Sequence, residues 1–426
     1  MTARETGFTM ETSAIKFGPG MTRETGFEAA RLGCQRVMVL TDPYIVALPP
    51  VRNVLASLAE YDVEAVLFDR VAVEPTDASF KDAIAFACDG AFDGYVAVGG
   101  GSTIDTAKAA NLYATYPAEF LTYVSLPIGQ GAAVPGPLRP LVAVPTTAGT
   151  GSETTGVAIV DLVGRHTKTA IAHRALRPSI GIVDPDTTRS LPRMVAASSG
   201  FDVLCHGLES YTALPFQQRA APAKPALRTI YQGANPISDI WAERAIKMVS
   251  ANLLRVLESG DDDAGRAEVM LAATFAGIGF GNAGVHLCHA MSYGVSGLVK
   301  SLHVEGYPRG KALVPHGMSV VLTAPAVFRW TASVDPARHL AAAEVMGADV
   351  SGVPLAEAGE CLAGRIIDLM RRAGMPDGLA SIGYAESDLD ALVESTLPQQ
   401  RIIAVSPRTP DPASFRQLFL DSMRLW

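Results

Sequence analysis

The chain has 426 residues, of which 48% are hydrophobic and 18% charged, with a formal net charge of −8. That length furnishes roughly two to three domains and a large core. Because no basic run interrupts the acidic balance, nucleic acid and anionic lipid are excluded as expected partners, which leaves small-molecule chemistry.

The N-terminus, MTARETGFTMETSAIKFG, carries acidic residues and no apolar core segment, unlike a secretory signal or a transit peptide, so a cytoplasmic address is expected. Five cysteines, Cys34, Cys88, Cys205, Cys288 and Cys361, show no CxxC spacing and fit a reducing compartment. Two uncharged stretches, residues 120–138 and 269–299, have the length of a membrane span. Prolines and glycines break up the first; Asn282, His286 and His289 make the second read as buried helices around a polar site, so no membrane partner is expected.

Between about residues 35 and 150, β-branched runs alternate with helical patterns: VMVLTD (37–42), VEAVLFDRV (63–71), GYVAVGGGS (94–102) and LVAVPTTAG (141–149). Runs apolar nearly throughout imply strands covered on both faces, as in a parallel sheet flanked by helices. VAIVD (157–161), TKTAIA (167–172) and SIGIVDP (179–185) close this half. Beyond Leu191 and Pro192 the pattern turns to Ala-, Leu- and Met-rich stretches at helical spacing. The expected division is therefore an α/β domain over 1–190 and an all-α domain over 191–426, which the motifs below make a dinucleotide-binding and a metal-binding catalytic domain. Residues 214–236 read as a surface excursion and 296–315 as a long loop between helices.

GGGSTIDTAK (99–108) follows an expected strand and opens an expected helix. Gly99, Gly100, Gly101 and Ser102 could therefore bring backbone amides to an anion at the helix N-terminus. Ser102 and Asp105 also have capping-box spacing, so Asp105 either caps the helix or faces a nucleotide. PTTAGTGSE (145–153) is the second such loop, where Thr146, Thr147, Thr150 and Ser152 suit a pyrophosphate or ribose, or else ordinary turn chemistry. Two such loops at the carboxyl ends of neighbouring strands point to a nucleotide. Asp42, ending the first run, either accepts ribose hydroxyls, which favours NAD over NADP, or starts the turn at Pro43. Lys168 either faces the cofactor or guards an edge.

In FDVLCHGLES (201–210), Asp202 and His206 lie four apart, on one face of a helix. In NAGVHLCHAMSYG (282–294), His286, His289 and Tyr293 form a second one-sided stripe; His316, in the expected loop VPHGM, gives a third locus. A histidine on an apolar helix can also be a hydrogen-bonded core residue. One carboxylate with imidazoles would suit Fe²⁺ or Zn²⁺ and leave room for a substrate oxygen. Cys205 and Cys288 point away from these ligands and read as core.

With GGGSTIDTAK, PTTAGTGSE, FDVLCHGLES, CHAMSYG and VPHGM in this order, the chain resembles the iron-containing (group III) alcohol dehydrogenase family from about residue 13 to its C-terminus. The resemblance implies a Rossmann-like N-terminal domain and a helical metal domain, as in dehydroquinate synthase-like folds. It also implies NAD, and Asp202, His206, His289 and His316 as ligands of a divalent metal, Fe²⁺ ahead of Zn²⁺. A homodimer is expected on the same ground. His286 falls where the family has a non-ligand. Tyr293 stands where many members have a histidine, and the interval from His289 to His316 is about twice the usual one. With YQGANPISDIWA (231–242), these departures look like the hydroxyacid-oxoacid transhydrogenase branch, whose members oxidise 4-hydroxybutyrate, reduce 2-oxoglutarate and keep the nicotinamide bound between half-reactions.

Tyr293 is the candidate catalytic residue, to hydrogen-bond the reacting oxygen or pass its proton on with His286 as relay, or else to wall the pocket. Lys300, His303, Arg309 and Lys311 are expected either to hold a substrate carboxylate or to be ordinary surface cations. The alternatives are a general NAD(P)-dependent alcohol dehydrogenase or aldehyde reductase, a dehydroquinate synthase-like cyclase and a metal- and nucleotide-binding sensor.

Overall fold

The computed structural model describes residues 3–165, 167–310 and 312–426. It divides into two compact units, Thr12–Leu191 and a second made of Met1–Glu11 with Pro192–Trp426.

The first unit is built on six strands: β1 (Ala14–Phe17), β2 (Arg36–Leu40), β3 (Glu64–Phe68), β4 (Gly94–Gly99), β5 (Leu141–Pro145) and, last in the chain, Ile180–Val183. Between the last two, Val157–Leu162 (β6) and Thr167–Ala172 (β7) pair antiparallel as a separate hairpin, so the sixth sheet strand is β8. The sheet is parallel throughout, in the order β1-β8-β5-β4-β2-β3. Alternation assigns Val37 and Val39 to one hydrophobic cluster and Met38 and Leu40 to the other, as expected of a sheet apolar on both faces. The helices α1 (Thr25–Arg31), α2 (Pro49–Glu60), α3 (Asp77–Asp89) and α4 (Gly101–Thr115) connect its strands. β1 has too short and mixed a pattern for sequence periodicity to single out.

The second unit is helical. It comprises α5 (Arg193–Thr212), α6 (Pro236–Glu258), α7 (Asp263–Ala283), α8 (Leu287–Gly297), α9 (His316–Val321), α10 (Ala324–Thr331), α11 (Pro336–Val345), α12 (Ala358–Ala373), α13 (Leu389–Thr396), α14 (Gln400–Ile403) and α15 (Pro412–Asp421). The N-terminal residues belong to this unit, not to the α/β half. Glu5 pairs with Arg228 at 3.0 Å, and the Thr9 and Glu11 amides donate to Gln232 and Asn282. The segment read as a surface excursion is only partly one, since Tyr231–Asn235 are buried. Among the described residues no single helix is long and apolar enough to cross a membrane. α7 and α8 pass that test only as a pair bent by 105°.

Candidate metal centre

The bend between α7 and α8 is made at Gly284, whose φ of 102° is open to glycine and whose missing Cβ leaves room for Tyr231. It sets the first turn of α8 against Glu209 on α5. The fully buried Glu209 Oε1 accepts the amides of His286, Cys288 and His289 at 2.9, 2.8 and 3.3 Å, the α8 donors that no intrahelical carbonyl can satisfy. Its other oxygen pairs with His289 Nδ1. On α5, Asp202, His206 and Glu209 stand at i, i+4 and i+7, one stripe of the helix. Glu209 was missed in the sequence, although that spacing was there to find it.

His316 opens α9; it does not lie in a loop. The next residue explains how it comes so near α5: a Cβ on Gly317 would stand 1.8 Å from the Ser198 carbonyl and 2.9 Å from the Asp202 side chain. Only glycine allows that approach.

These elements bring Asp202 Oδ1 to 3.7, 3.5 and 3.6 Å from the Nε2 atoms of His206, His289 and His316. Such gaps are too long for hydrogen bonds. They match the edge, about 3.4 Å, of a tetrahedron whose ligand atoms lie ~2.1 Å from one ion. The donor atoms of Asp202, His206 and His289 all fall within 4.8 Å of one another, and Asp202 Oδ1 and His289 Nε2 are buried without a hydrogen-bond partner. Orphaned buried lone pairs of this kind are costly unless a cation occupies the space among them. The residues fit a divalent metal.

Electrostatics agree with a strong negative anchor. Burial would raise the Asp202 carboxyl, but His206, His316 and His289 hold it well below the usual carboxylate range. Burial pushes His206 down, against the pull of Asp202. For His289 burial acts in the same sense but is outweighed by Glu209 and Asp202, and the imidazole is raised. His206 is stacked on Phe280, ring centres 4.0 Å apart.

His286 precedes α8 and does not share its stripe: it is fully buried, with Nδ1 accepting from the Leu287 amide and Nε2 3.1 Å from Thr212 Oγ1, so it is committed elsewhere than a relay. Tyr293 is buried one turn beyond His289. Cys205 and Cys288 are fully buried and unpaired, as core residues should be. Lys300 pairs with Asp388 at the surface, His303 and Arg309 are exposed, and Lys311 lies outside the described residues.

In the α/β unit the two polar loops meet. Cβ atoms on Gly100 and Gly101 would stand 3.3 and 2.6 Å from Thr147 and Thr150, so these glycines serve loop-to-loop packing as well as any approach of a phosphate. Gly99, ending β4, has Thr103 where a Cβ would be, and Thr146 donates its amide to the Gly99 carbonyl. The capping box expected of Ser102 and Asp105 is not formed, because Gly100 is the N-cap of α4 and both residues lie inside the helix. Ser102 accepts from the Glu74 amide. Asp105 accepts from Ser152 Oγ at 2.6 Å and the Ile159 amide at 2.9 Å, and both residues share the buried Lys108. Asp42 accepts the Tyr44 and Ile45 amides, the turn geometry. Lys168 pairs with Glu74.

Lys108, which sequence reasoning passed over, is fully buried and donates to Ser152 Oγ and the Val157 carbonyl. Burial pulls its pKa from 10.5 to about 8, with Asp105 opposing. Between those values the unfolded chain binds more protons than the folded one, so folding stability should rise with pH across this window, by up to about 3 kcal/mol. K108M should abolish that rise. Denaturation midpoints of both proteins at several pH values check this; a constant gap between them refutes it.

A carboxylate oxygen with three imidazole nitrogens 3.5 to 3.7 Å from it, in a helical unit joined to a parallel α/β unit, defines a metal-dependent, nucleotide-linked class of enzyme. The profile of iron-containing alcohol dehydrogenases matches residues 12–185, and that of the C-terminal part of the same family matches 229–423. The chain belongs to the iron-containing alcohol dehydrogenase family, and with it to the oxidoreductases that use NAD(H) and a divalent metal.

It is 52% identical to the mitochondrial hydroxyacid-oxoacid transhydrogenase of Xenopus tropicalis, over 100% of this chain and 93% of that one. Against the Rattus norvegicus protein of the same name the identity is 51%, over 98% and 90%. Among solved structures, an alcohol dehydrogenase from Oenococcus oeni superposes with a TM-score of 0.86 at 25% identity, covering 98% of this chain and 100% of its own. The iron-containing alcohol dehydrogenase of Thermococcus thioreducens gives 0.82 at 26%, over 98% and 99%.

The relatives are designated mitochondrial, which overturns the cytoplasmic address drawn from the N-terminus. An address is read by import machinery from segments the fold does not need, so the acidic character of these residues was no guide to it.

Proposed function

We propose that this protein is a hydroxyacid-oxoacid transhydrogenase that oxidises a short hydroxy acid such as 4-hydroxybutyrate and returns the hydride to an oxo acid such as 2-oxoglutarate. The observation that carries the metal-dependent part is the single carboxylate oxygen equidistant from three imidazole nitrogens. Asp202, His206, His289 and His316 would hold the cation, Fe²⁺ by family and Zn²⁺ by ligand chemistry. The choice of substrate rests on the extent of likeness to the transhydrogenases.

When bound, the cation supplies a Lewis acid for the alcohol oxygen and the nicotinamide a hydride acceptor. The chain's own contribution is positioning. Glu209 accepts a hydrogen bond from His289 Nδ1–H, so that the Nε2 lone pair faces the site. Phe280 backs the His206 ring and keeps it in register. Tyr293, on the face of α8 that carries His289, borders the substrate and is available to its oxygen. The Gly99–Ser102 turn, with Thr146, Thr147 and Thr150, is assigned to the dinucleotide phosphates, where amides at the α4 N-terminus favour an anion. Asp105, Ser152 and Lys168 support these loops from behind through Lys108 and Glu74.

Incubated with 4-hydroxybutyrate and 2-oxoglutarate and no added nucleotide, the metal-loaded enzyme should form 2-hydroxyglutarate and retain NAD through gel filtration. Turnover that occurs only with free NAD would make the protein an ordinary dehydrogenase.

A further inference from the structure

Two features that set this chain apart from the common family pattern, the YQGANP segment and Tyr293, converge on one side chain. Arg401 sits in α14, which packs on α8. Its guanidinium carbon lies 4.8 Å from the centre of the Tyr231 ring, and the side chains of Tyr231 and Tyr293 are its polar neighbours. Tyr231 is itself pinned: its carbonyl accepts from Arg219 Nη1 at 2.6 Å, and its ring side fills the space left by Gly284.

Arg401 lacks the carboxylate partner that several other buried or partly buried arginines of this unit have. Arg338 pairs with Asp239, Arg266 with Asp263 and Arg228 with Glu5. No carboxylate among the described residues pairs with Arg401, and its Nη1 is shielded from water without a hydrogen-bond acceptor. The residue as a whole is only partly buried. A guanidinium cannot shed its charge, and one held between two aromatic hydroxyls with a donor unused is a site for an anion. Tyr293 lies one turn, about 6 Å, along α8 from His289, so Arg401 neighbours the helix that carries a proposed metal ligand.

We propose that Arg401, steadied by Tyr231 and Tyr293, binds the substrate carboxylate and thereby selects hydroxy acids over simple alcohols. This rests on the transhydrogenase reading above and replaces the loop cations 300, 303, 309 and 311 as the anchor. Tyr231 and Tyr293 act as positioning residues for it: their hydroxyls leave the guanidinium no competing negative charge, while the Tyr231 face accepts its cation.

The test uses the holoenzyme and its R401M and R401K variants, following formation of reduced nicotinamide against the concentration of 4-hydroxybutyrate or 1-butanol. The readout is the ratio of the two half-saturating concentrations. A charge-assisted bond lost from a shielded site predicts a ratio raised about 30-fold in R401M, with R401K between it and wild type. A general loss of packing would move both substrates together and leave the ratio fixed, which overturns the anchor. If R401M does not fold, R401K decides: an unchanged ratio overturns the proposal, a raised one supports it. A wild-type enzyme that reduces nicotinamide with 1-butanol and not with 4-hydroxybutyrate would instead overturn the transhydrogenase reading itself.

Discussion

Replacing Asp202 by alanine is expected to strip the protein of its metal and to lower turnover by about a thousand-fold or more, while leaving the fold measurable. Asp202 Oδ1 is the one atom that all three imidazoles surround, and the only anionic donor in the set. Without it the three rings meet a dication with no neutralising charge, in a pocket from which water is largely excluded. The apo fold should tolerate the change, because Glu209 still holds the first turn of α8. D202N separates charge from shape: it keeps the volume and should lose nearly as much. Metal content after dialysis, measured beside activity with excess Fe²⁺ or Zn²⁺, checks this. A D202A protein with one tightly held ion per chain would mean that the cation sits elsewhere.

Much of this was legible in the sequence because it depends on periodicity. Strand runs apolar on both faces announced a covered parallel sheet, and the four-residue interval from Asp202 to His206 announced a shared helix face. What was not legible depends on contacts distant in sequence. His286 sits on the same arithmetic stripe as His289, yet Gly284 breaks the helix first and the imidazole turns to Thr212. Asp105 has capping-box spacing from Ser102, but the helix starts earlier, at a glycine N-cap, so the carboxylate faces Lys108 and Ser152 instead. The Leu214 region reads as surface from its prolines and polar residues, and nothing local reveals that Tyr231 returns to lie under Arg401. The loop cations read either as a carboxylate anchor or as ordinary surface charge; Lys300 is paired with Asp388, and His303 and Arg309 are exposed. The arginine proposed as the anchor lies about 110 residues beyond Tyr293 and comes near it through α14 packing on α8, a contact no local pattern announces.

The change of Glu209 to glutamine should cost metal affinity about 10- to 100-fold, although Glu209 touches no cation. One proton decides the outcome. As a carboxylate, Glu209 is acceptor only: one oxygen takes three backbone amides and the other takes His289 Nδ1–H, which leaves the Nε2 lone pair to face Asp202. In E209Q the side-chain oxygen can keep the amides, and its NH₂ then confronts Nδ1. Two donors cannot face each other, so the imidazole must move its proton to Nε2, where it occupies the lone pair a metal needs. Turning the amide round instead would put the NH₂ against three backbone N–H groups, a worse conflict. E209D, too short to reach both sets, should lose helix capping as well as affinity. Titration of apo protein with Zn²⁺ against a competing chelator reads the affinity without any turnover, and thermal melts of the apo forms separate capping from ligation. Wild-type affinity in E209Q would show that His289 is held by its surroundings and not by this carboxylate.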